Sequence, residues 1–258
     1  MLKPIVENYN VEEEFLYNKT YLFIKGYAIG KNLPYTLKAL PLARKAHNGQ
    51  YRKGTVEIKG NKYQLPYVLH VLKVASTLIS LDLPLSNEDL DILISSAILH
   101  DIIEDCSELF RDDGCELVTQ YGFPESVYNI VKLLSKHSGS TEIELNEYFN
   151  AIKRNKFALL IKLADRSHNV EDLYNMRDEK IHKYVKETRE YIYPLSAYGK
   201  ENYPELSNGI TILKAKIVSL TELTETLVDI YEERLLEKDK EIASLRSELE
   251  KYNTPKVF

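Results

Sequence analysis

The sequence has no tryptophan and only two cysteines, Cys106 and Cys115, among its 258 residues. Two cysteines alone cannot build a disulfide framework or a structural zinc site, so we expect two reduced thiols in a cytoplasmic protein. Glycine and proline are also scarce, at 10 and 9 residues. The length is sufficient for one large domain or two small ones.

The sequence also lacks a basic excess and long apolar runs. Its 34 lysines and arginines oppose 39 aspartates and glutamates, which gives a formal net charge of −5. Nucleic-acid binders that work through bulk electrostatics usually carry a basic excess, so we expect no nucleic-acid partner. No apolar stretch approaches the roughly 20 residues that span a bilayer, and Met1–Asn10 has no apolar signal-peptide centre. We therefore expect neither export nor a membrane partner.

Apolar residues recur at three- and four-residue steps through most of the chain, which predicts an almost wholly α-helical protein. The predicted helices are Glu12–Gly30, Tyr35–Asn48, Pro66–Leu81, Asn87–Cys106, Glu108–Tyr121, Pro124–Ser135, Ile143–Arg154, Lys156–Asp172 and His182–Tyr198. One segment, Thr55–Leu65, instead alternates polar and apolar residues around Gly60-Asn61, which predicts a short β-hairpin.

The character of the sequence changes after Pro204, because residues 213–252 contain neither proline nor glycine and are dense in charge. We therefore expect a main domain at 1–204, with its core at about 35–200, and a C-terminal helical extension at 205–258. Residues seven apart in this extension are Val228, Leu235, Ile242 and Leu249, with Tyr231, Leu245 and Tyr252 on the intervening seam and Lys238 interrupting it.

This heptad spacing predicts about three heptads of coiled coil, and hence a homodimer. A charged helix packed back on its own domain is an equal alternative. In the coiled-coil case, truncation after Leu227 should change the oligomeric mass without abolishing the chemistry.

The most informative run extends from Asp91 to Asp105. Residues 92–99 are apolar or small almost throughout, so this helix should be buried on most of its circumference. It ends in four polar residues, His100, Asp101, Glu104 and Asp105. At about 100° per residue they fall within an arc of about 140°, on one face. Such groups are costly to bury unless they bind a metal or pair with cations; alternatively, the helix surfaces here and the acids are ordinary solvated charges.

Two other apolar helices carry a polar residue of the same kind, His70 in one and Asp165 at the end of another. A lone histidine is more often a satisfied core residue, and a lone aspartate could pair with the arginine that follows it. Together with His100 and Asp101, however, these residues supply two imidazoles and two carboxylates. That set suits a divalent cation such as Mn²⁺ or Fe²⁺, and without a cysteine it is not a structural zinc site.

Four sequence blocks then match a known family in their order. The blocks are Ala46–Gly54, Pro66–His70, Leu99–Asp105 and Lys162–Asn169. They resemble the HD-domain metal phosphohydrolases, in particular the hydrolase half of the RelA/SpoT alarmone enzymes and the small stand-alone alarmone hydrolases. The resemblance covers about residues 40–198, and nothing resembles the synthetase half. It implies an all-α HD-domain helical bundle, with the hairpin as an insertion and a long C-terminal helix.

The resemblance implies Mn²⁺-dependent hydrolysis of the 3′-pyrophosphate of guanosine tetra- or pentaphosphate to GDP or GTP, a reaction of the stringent response. The metal ligands, for Mn²⁺ or another divalent cation, would be His70, His100, Asp101 and Asp165. Glu104 and Asp105 would orient or deprotonate the water and protonate the departing oxygen, and their shared burial would perturb their pKa values. Nucleotide contacts would come from Arg52, Lys53 and Asn169.

The segment Thr55–Leu65 stands where this family usually has few residues, beside the expected substrate pocket. A second hypothesis therefore keeps the metal site but changes the substrate to a phosphorylated dinucleotide cofactor or another signalling nucleotide. A third hypothesis is a non-catalytic nucleotide-binding module, which the long C-terminal helix suggests. The presence of Glu104 and Asp105 argues against it, because a binding module has no use for a water-activating pair.

Overall fold

The computed structural model describes residues 11–58, 60–110, 113–135, 141–175 and 178–253. Within these ranges the chain is predominantly helical, with one two-stranded sheet. The α-helices are α1 (Val11–Lys31), α2 (Pro34–Ala46), α3 (Val68–Ser80), α4 (Asn87–Leu99), α5 (Ile102–Asp105), α6 (Glu116–Thr119), α7 (Glu125–Leu134), α8 (Glu142–Ile152), α9 (Lys156–Asn169), α10 (Asp178–Glu187), α11 (Tyr193–Asn202) and α12 (Ser207–Asn253). The all-α prediction is confirmed.

The predicted hairpin is also confirmed, and it is longer than expected. Strand β1 (Tyr51–Ile58) pairs antiparallel with β2 (Asn61–Pro66), and Ile58 lies opposite Asn61. Gly60 closes the turn with a φ of 81°, a left-handed conformation that glycine adopts without steric cost. Because β1 begins at Tyr51, the Arg52-Lys53 pair belongs to the hairpin itself.

Three apolar helices form the centre of the core, where α3 packs on both α4 and α9. Every residue of α4 from Leu93 to Leu99 is buried, as expected for a helix enclosed on most of its circumference. A buried carboxylate fixes the start of α2 on α4: Asp91 accepts hydrogen bonds from the backbone N–H of Tyr35 and from both the N–H and the hydroxyl of Thr36, at 2.7–2.9 Å. This bond set caps α2 from a neighbouring helix.

Two helix predictions are wrong. The segment Glu108–Tyr121 is not one helix, since only α6 is α-helical among its described residues, and Gly114 there has a φ of 65°, which an α-helix does not accommodate. The predicted helix Asn87–Cys106 is two helices, because α4 ends at Leu99 and α5 begins at Ile102. Between them Asp101 has φ −99° and ψ 0°, outside regular helical geometry.

The long C-terminal helix α12 has two different halves. Its first half belongs to the main core through Ile210, Leu213 and Ile217. Val228 packs separately on Ile181 and Val185 of α10. After Val228, every side chain described up to Leu249 is exposed, including the predicted seam residues; the side chain of Tyr252 lies outside the described part. Among the described helices, none combines the length and the apolar character of a membrane span.

Candidate metal centre

Three helices bring the four predicted metal ligands together. His70 lies in the first turn of α3, His100 and Asp101 lie between α4 and α5, and Asp165 lies in the last turns of α9. Because α3 packs between α4 and α9, residues that are far apart in sequence share one buried location.

The ligand atoms lie at short distances from one another. Nε2 of His70 is 3.2 Å from Oδ1 of Asp165 and 3.5 Å from Oδ2 of Asp101. Nε2 of His100 is 3.1 Å from the same oxygen of Asp101 and 3.8 Å from Oδ1 of Asp165. One ligand atom from each of His70, His100 and Asp165 lies within 4.8 Å of the other two. Each imidazole therefore faces both carboxylates.

The protonation pattern of His100 fits a bound cation. Its Nδ1 lies 2.9 Å from the carbonyl oxygen of Ala97, which can only accept, so Nδ1 carries the proton. Its Nε2 is buried and makes no well-aligned hydrogen bond. In the neutral ring that nitrogen holds a lone pair directed at the two carboxylates. Two such imidazoles and two carboxylates are a donor set that suits a borderline-to-hard divalent cation.

The pKa shifts in the cluster show that its two carboxylates strongly favour a nearby positive charge. Burial opposes protonation of His100, but the carboxylates of Asp101 and Asp165 outweigh it and raise its pKa to about 10. Burial likewise favours the neutral form of Asp165, yet the charge of Lys162 and hydrogen bonds to the two imidazoles hold its pKa well below the usual range. A divalent cation would satisfy the same demand and must displace the proton on His100.

Both carboxylate ligands are held by further hydrogen bonds. The hydroxyl of Tyr67 donates to Oδ2 of Asp101 at 2.8 Å. Nζ of Lys162 donates to Oδ2 of Asp165 at 3.1 Å, and the amide of Asn169 donates to Oδ1 of Asp165 at 2.6 Å. The sequence alone predicts no role for Tyr67 or Lys162. Their only sequence signal is position, since each precedes a ligand by three residues, one helical turn.

A further buried histidine, His168, contacts His70. The Nδ1 atoms of the two rings are 2.7 Å apart. Burial, followed by the neighbouring His70, lowers the pKa of His168 to about 2, so this ring is neutral. From the sequence alone His168 is expected to orient helices or pair with acids, with no catalytic role, although it lies one turn after Asp165 on the same helix.

Glu104 and Asp105 lie in α5, one turn beyond the His100-Asp101 pair, and both are exposed. The expected shared burial of this pair is therefore wrong, because α5 has only four residues and its buried positions are those of Ile102 and Ile103. Partial desolvation and the nearby charge of Asp101 nevertheless raise the pKa of Asp105. Gln50 donates a hydrogen bond of 2.8 Å to the backbone carbonyl of Asp105, which ties α5 to the start of the hairpin.

Two of the predicted nucleotide-binding residues, Arg52 and Asn169, lie at the edge of the cluster. A guanidinium nitrogen of Arg52 on β1 donates to the amide oxygen of Asn169 at 3.0 Å. Since Asn169 also bonds to Asp165, a continuous chain of hydrogen bonds joins the hairpin to a ligand of the candidate metal. The side chain of Lys53 lies outside the described part of the structure.

A helical bundle that carries paired histidine and aspartate side chains can be compared with known families of domains. The sequence model of the HD domain matches residues 67–170, which hold all four candidate ligands, so this part of the chain is similar to an HD domain.

Among characterised proteins, the chain is similar to the guanosine-3′,5′-bis(diphosphate) 3′-pyrophosphohydrolase of Haemophilus influenzae, with 31% identity over 60% of this chain and 21% of that protein. It is equally similar, at 31% identity over 62% of this chain and 21% of that protein, to the bifunctional (p)ppGpp synthase/hydrolase SpoT of Escherichia coli. The chain thus spans about a fifth of the length of these relatives. A solved structure described as a metazoan ortholog of SpoT that hydrolyzes ppGpp aligns with a TM-score of 0.49 and 21% identity, over 73% of this chain and 94% of the other.

Proposed function

We propose that this protein is a divalent-metal-dependent phosphohydrolase that removes the 3′-pyrophosphate of guanosine tetra- or pentaphosphate, giving GDP or GTP and pyrophosphate. The observation that carries the proposal is the convergence of His70, His100, Asp101 and Asp165 on one buried location. The names of the relatives that align with this region supply the substrate class. A cytoplasmic location is part of the same proposal.

We assign Mn²⁺ as the cation, held by the two imidazoles and two carboxylates of the cluster. Such an ion, when bound, supplies a Lewis acid that lowers the pKa of water and polarises a phosphoryl oxygen. The protein supplies a fixed ligand geometry, because every one of the four ligands has a second hydrogen-bond partner or a place in the helical core.

Glu104 and Asp105 are proposed to move the protons of the reaction. Water attacks phosphorus, the bond between phosphorus and the ribose 3′-oxygen breaks, and the proton lost by water is balanced by one gained at that 3′-oxygen. The exposure of both residues gives water and substrate access to them. The raised pKa of Asp105 makes its carboxylate a stronger base than an ordinary aspartate.

The hairpin and the end of α9 are proposed to hold the nucleotide. Arg52 presents a planar fork of donors that can grip a phosphate or stack on a purine. Asn169 can hydrogen-bond the ribose or base, and Lys53 adds a compact positive charge. Arg52 and Asn169 already contact each other, so a ligand that binds one is positioned against the other.

One assay separates this function from the other hypotheses. The full chain is incubated with Mn²⁺ and a panel of guanosine tetraphosphate, phosphorylated dinucleotide cofactors and cyclic nucleotides, and the products are identified by chromatography. Pyrophosphate and GDP support the proposal. Inorganic phosphate from another nucleotide favours a different substrate, and nucleotide binding without turnover favours a non-catalytic module.

We further propose that residues 1–204 form the hydrolase unit and that 205–258 form an extension, which packs on the core of that unit through its first half and associates with a second copy through its exposed half. The exposed half of α12 supports the association, because its described side chains from Asp229 to Leu249 are all exposed, and a helix that buries so little surface on its own domain is only marginally stable in water. Leu235, Ile242 and Leu249 are exposed at a spacing of seven residues. Two copies would bury this seam in a coiled coil.

The association is tested by adding charge to the seam. Leu235→Glu combined with Ile242→Glu should convert a dimer to a monomer in light scattering and leave turnover unchanged. Leu236→Glu, which adds one charge off the seam on an equally exposed residue, should not change the mass. A seam variant with an unaltered mass argues against the coiled coil.

A further inference from the structure

A second histidine lies behind the candidate ligand His70. The Nδ1 atoms of His70 and His168 are 2.7 Å apart, and the residues are 1% and 7% exposed. Two buried imidazole nitrogens at this distance share a hydrogen bond, so one ring donates and the other accepts. The direction of this bond decides which nitrogen of His70 has a lone pair.

We propose that His168 is a positioning residue: it accepts the hydrogen bond from Nδ1–H of His70 and so keeps the lone pair of Nε2 directed at the cation. This inference rests on the proposed function, because it requires a cation held by His70. It assigns His168 itself the neutral form with its proton on Nε2.

The geometry around His70 favours this direction in the loaded protein. Its Nε2 faces the carboxylate oxygens of Asp165 and Asp101 at 3.2 and 3.5 Å, on the side where the cation would lie. If His168 donated instead, the single proton of a neutral His70 would stand on Nε2 and block coordination. Histidine ligands generally donate their other ring N–H to a fixed acceptor.

The second imidazole of the cluster has the same arrangement with a different acceptor. Nδ1 of His100 lies 2.9 Å from the backbone carbonyl of Ala97, an atom that can only accept. Within the described residues, Nδ1 of His70 makes no hydrogen bond to a backbone carbonyl; it contacts the side chain of His168 instead. The acceptor for Nδ1–H is therefore a backbone carbonyl at His100 and a side chain at His70, and the side chain can be replaced by mutation.

The position of His168 on α9 explains how one helix supplies both a ligand and its support. Asp165 and His168 are three residues apart and share a helix face. The face packs on α3, which carries His70. Asp165 therefore reaches the Nε2 side of the His70 ring and His168 the Nδ1 side.

The proposal is tested first by the affinity of the full chain for Mn²⁺, measured by calorimetry. His168→Leu removes the acceptor and should weaken Mn²⁺ binding about 10- to 100-fold. His168→Asn places a carbonyl oxygen at the position of Nδ1 and should restore most of the affinity. His182→Leu, at a histidine whose side chain is 48% exposed and paired with Glu232 on α12, is the matched control and should bind normally.

The second test needs no variant that could fail to fold. In Zn²⁺-loaded wild-type protein labelled with ¹⁵N-histidine, Nδ1 of His70 should carry the proton and show scalar coupling across the hydrogen bond to Nδ1 of His168. An unprotonated Nδ1 on His70, or a folded His168→Leu variant with wild-type affinity, overturns the inference. A wild-type chain that binds no divalent ion instead overturns the proposed function, which makes the two failures distinguishable.

Discussion

The hydroxyl of Tyr67 donates a 2.8 Å hydrogen bond to Oδ2 of Asp101. That same carboxylate oxygen lies 3.1 Å from Nε2 of His100. Tyr67 therefore contacts an oxygen atom that belongs to the candidate metal centre. Tyr67 also lowers the pKa of Asp105, against the opposing effects of burial and of the charge on Asp101. One phenol therefore acts on both a proposed metal ligand and a proposed proton-transfer residue.

We expect Tyr67→Phe to keep the fold but to lower Mn²⁺ affinity or turnover by about tenfold or more, because Asp101 loses its orienting donor. Metal titration and steady-state kinetics measure the effect. Tyr35→Phe serves as the control, since Tyr35 contacts Asp91 through its backbone N–H rather than its hydroxyl. Equal affinity and turnover in the Tyr67 variant would leave the hydroxyl without a function in the site.

Cation binding should release a proton from His100. In the metal-free chain the pKa of His100 is raised to about 10, against about 6.5 for an unperturbed histidine. At about pH 8 the ring is then protonated, and cation binding at its Nε2 must expel close to one proton. Calorimetry of Mn²⁺ binding in two buffers of different ionisation enthalpy counts the protons released.

The sign of the pH dependence follows from the same shift. Because the folded-state pKa lies above the unfolded one, the protonated His100 stabilises the metal-free fold below about pH 6.5, and this contribution is lost as the pH rises through about 10. Mn²⁺ affinity should therefore increase with pH over this window. An affinity that is independent of pH there would show that His100 carries no proton in the metal-free chain.

Glu104→Gln should retain the metal and slow turnover by about 100-fold or more, as expected when a general acid–base group is lost. Single-turnover kinetics at saturating Mn²⁺ isolate the chemical step from binding. Glu125→Gln, an exposed residue in the first turn of α7, is a charge-matched control that should have normal kinetics. If the Glu104 variant is as fast as the wild type, Glu104 does not take part in proton transfer.

Much of the fold follows from local sequence patterns. The apolar spacing of α3, α4 and α9 and the Gly60-Asn61 turn of the hairpin predicted elements that the structure contains. The two wrong helix predictions have physical causes that the spacing of apolar residues does not reveal. A single left-handed residue, Gly114, prevents a continuous helix from 108 to 121, and the geometry at Asp101 ends α4 where the apolar pattern continues into α5.

The convergence of the four candidate ligands was predictable from the sequence, and the residues that contact them were less so. The types and order of His70, His100, Asp101 and Asp165 predicted one cluster, and the structure places their ligand atoms close together. The contact of His70 with His168 joins residues 98 positions apart and depends on how α3 packs on α9. Such contacts have no local signal, because tertiary packing alone decides which side chains meet.

The central claim is that one divalent ion, held by these four side chains, is required for the hydrolysis. The most direct measurement adds Mn²⁺ to metal-free preparations of the wild type, His100→Ala and Asp101→Ala, and counts the bound ions per chain by electron paramagnetic resonance. Pyrophosphate release from guanosine tetraphosphate is followed in the same samples. The account predicts one ion per wild-type chain, and loss of both the ion and the activity in each variant. Hydrolysis that persists in a variant that no longer binds Mn²⁺ would contradict it.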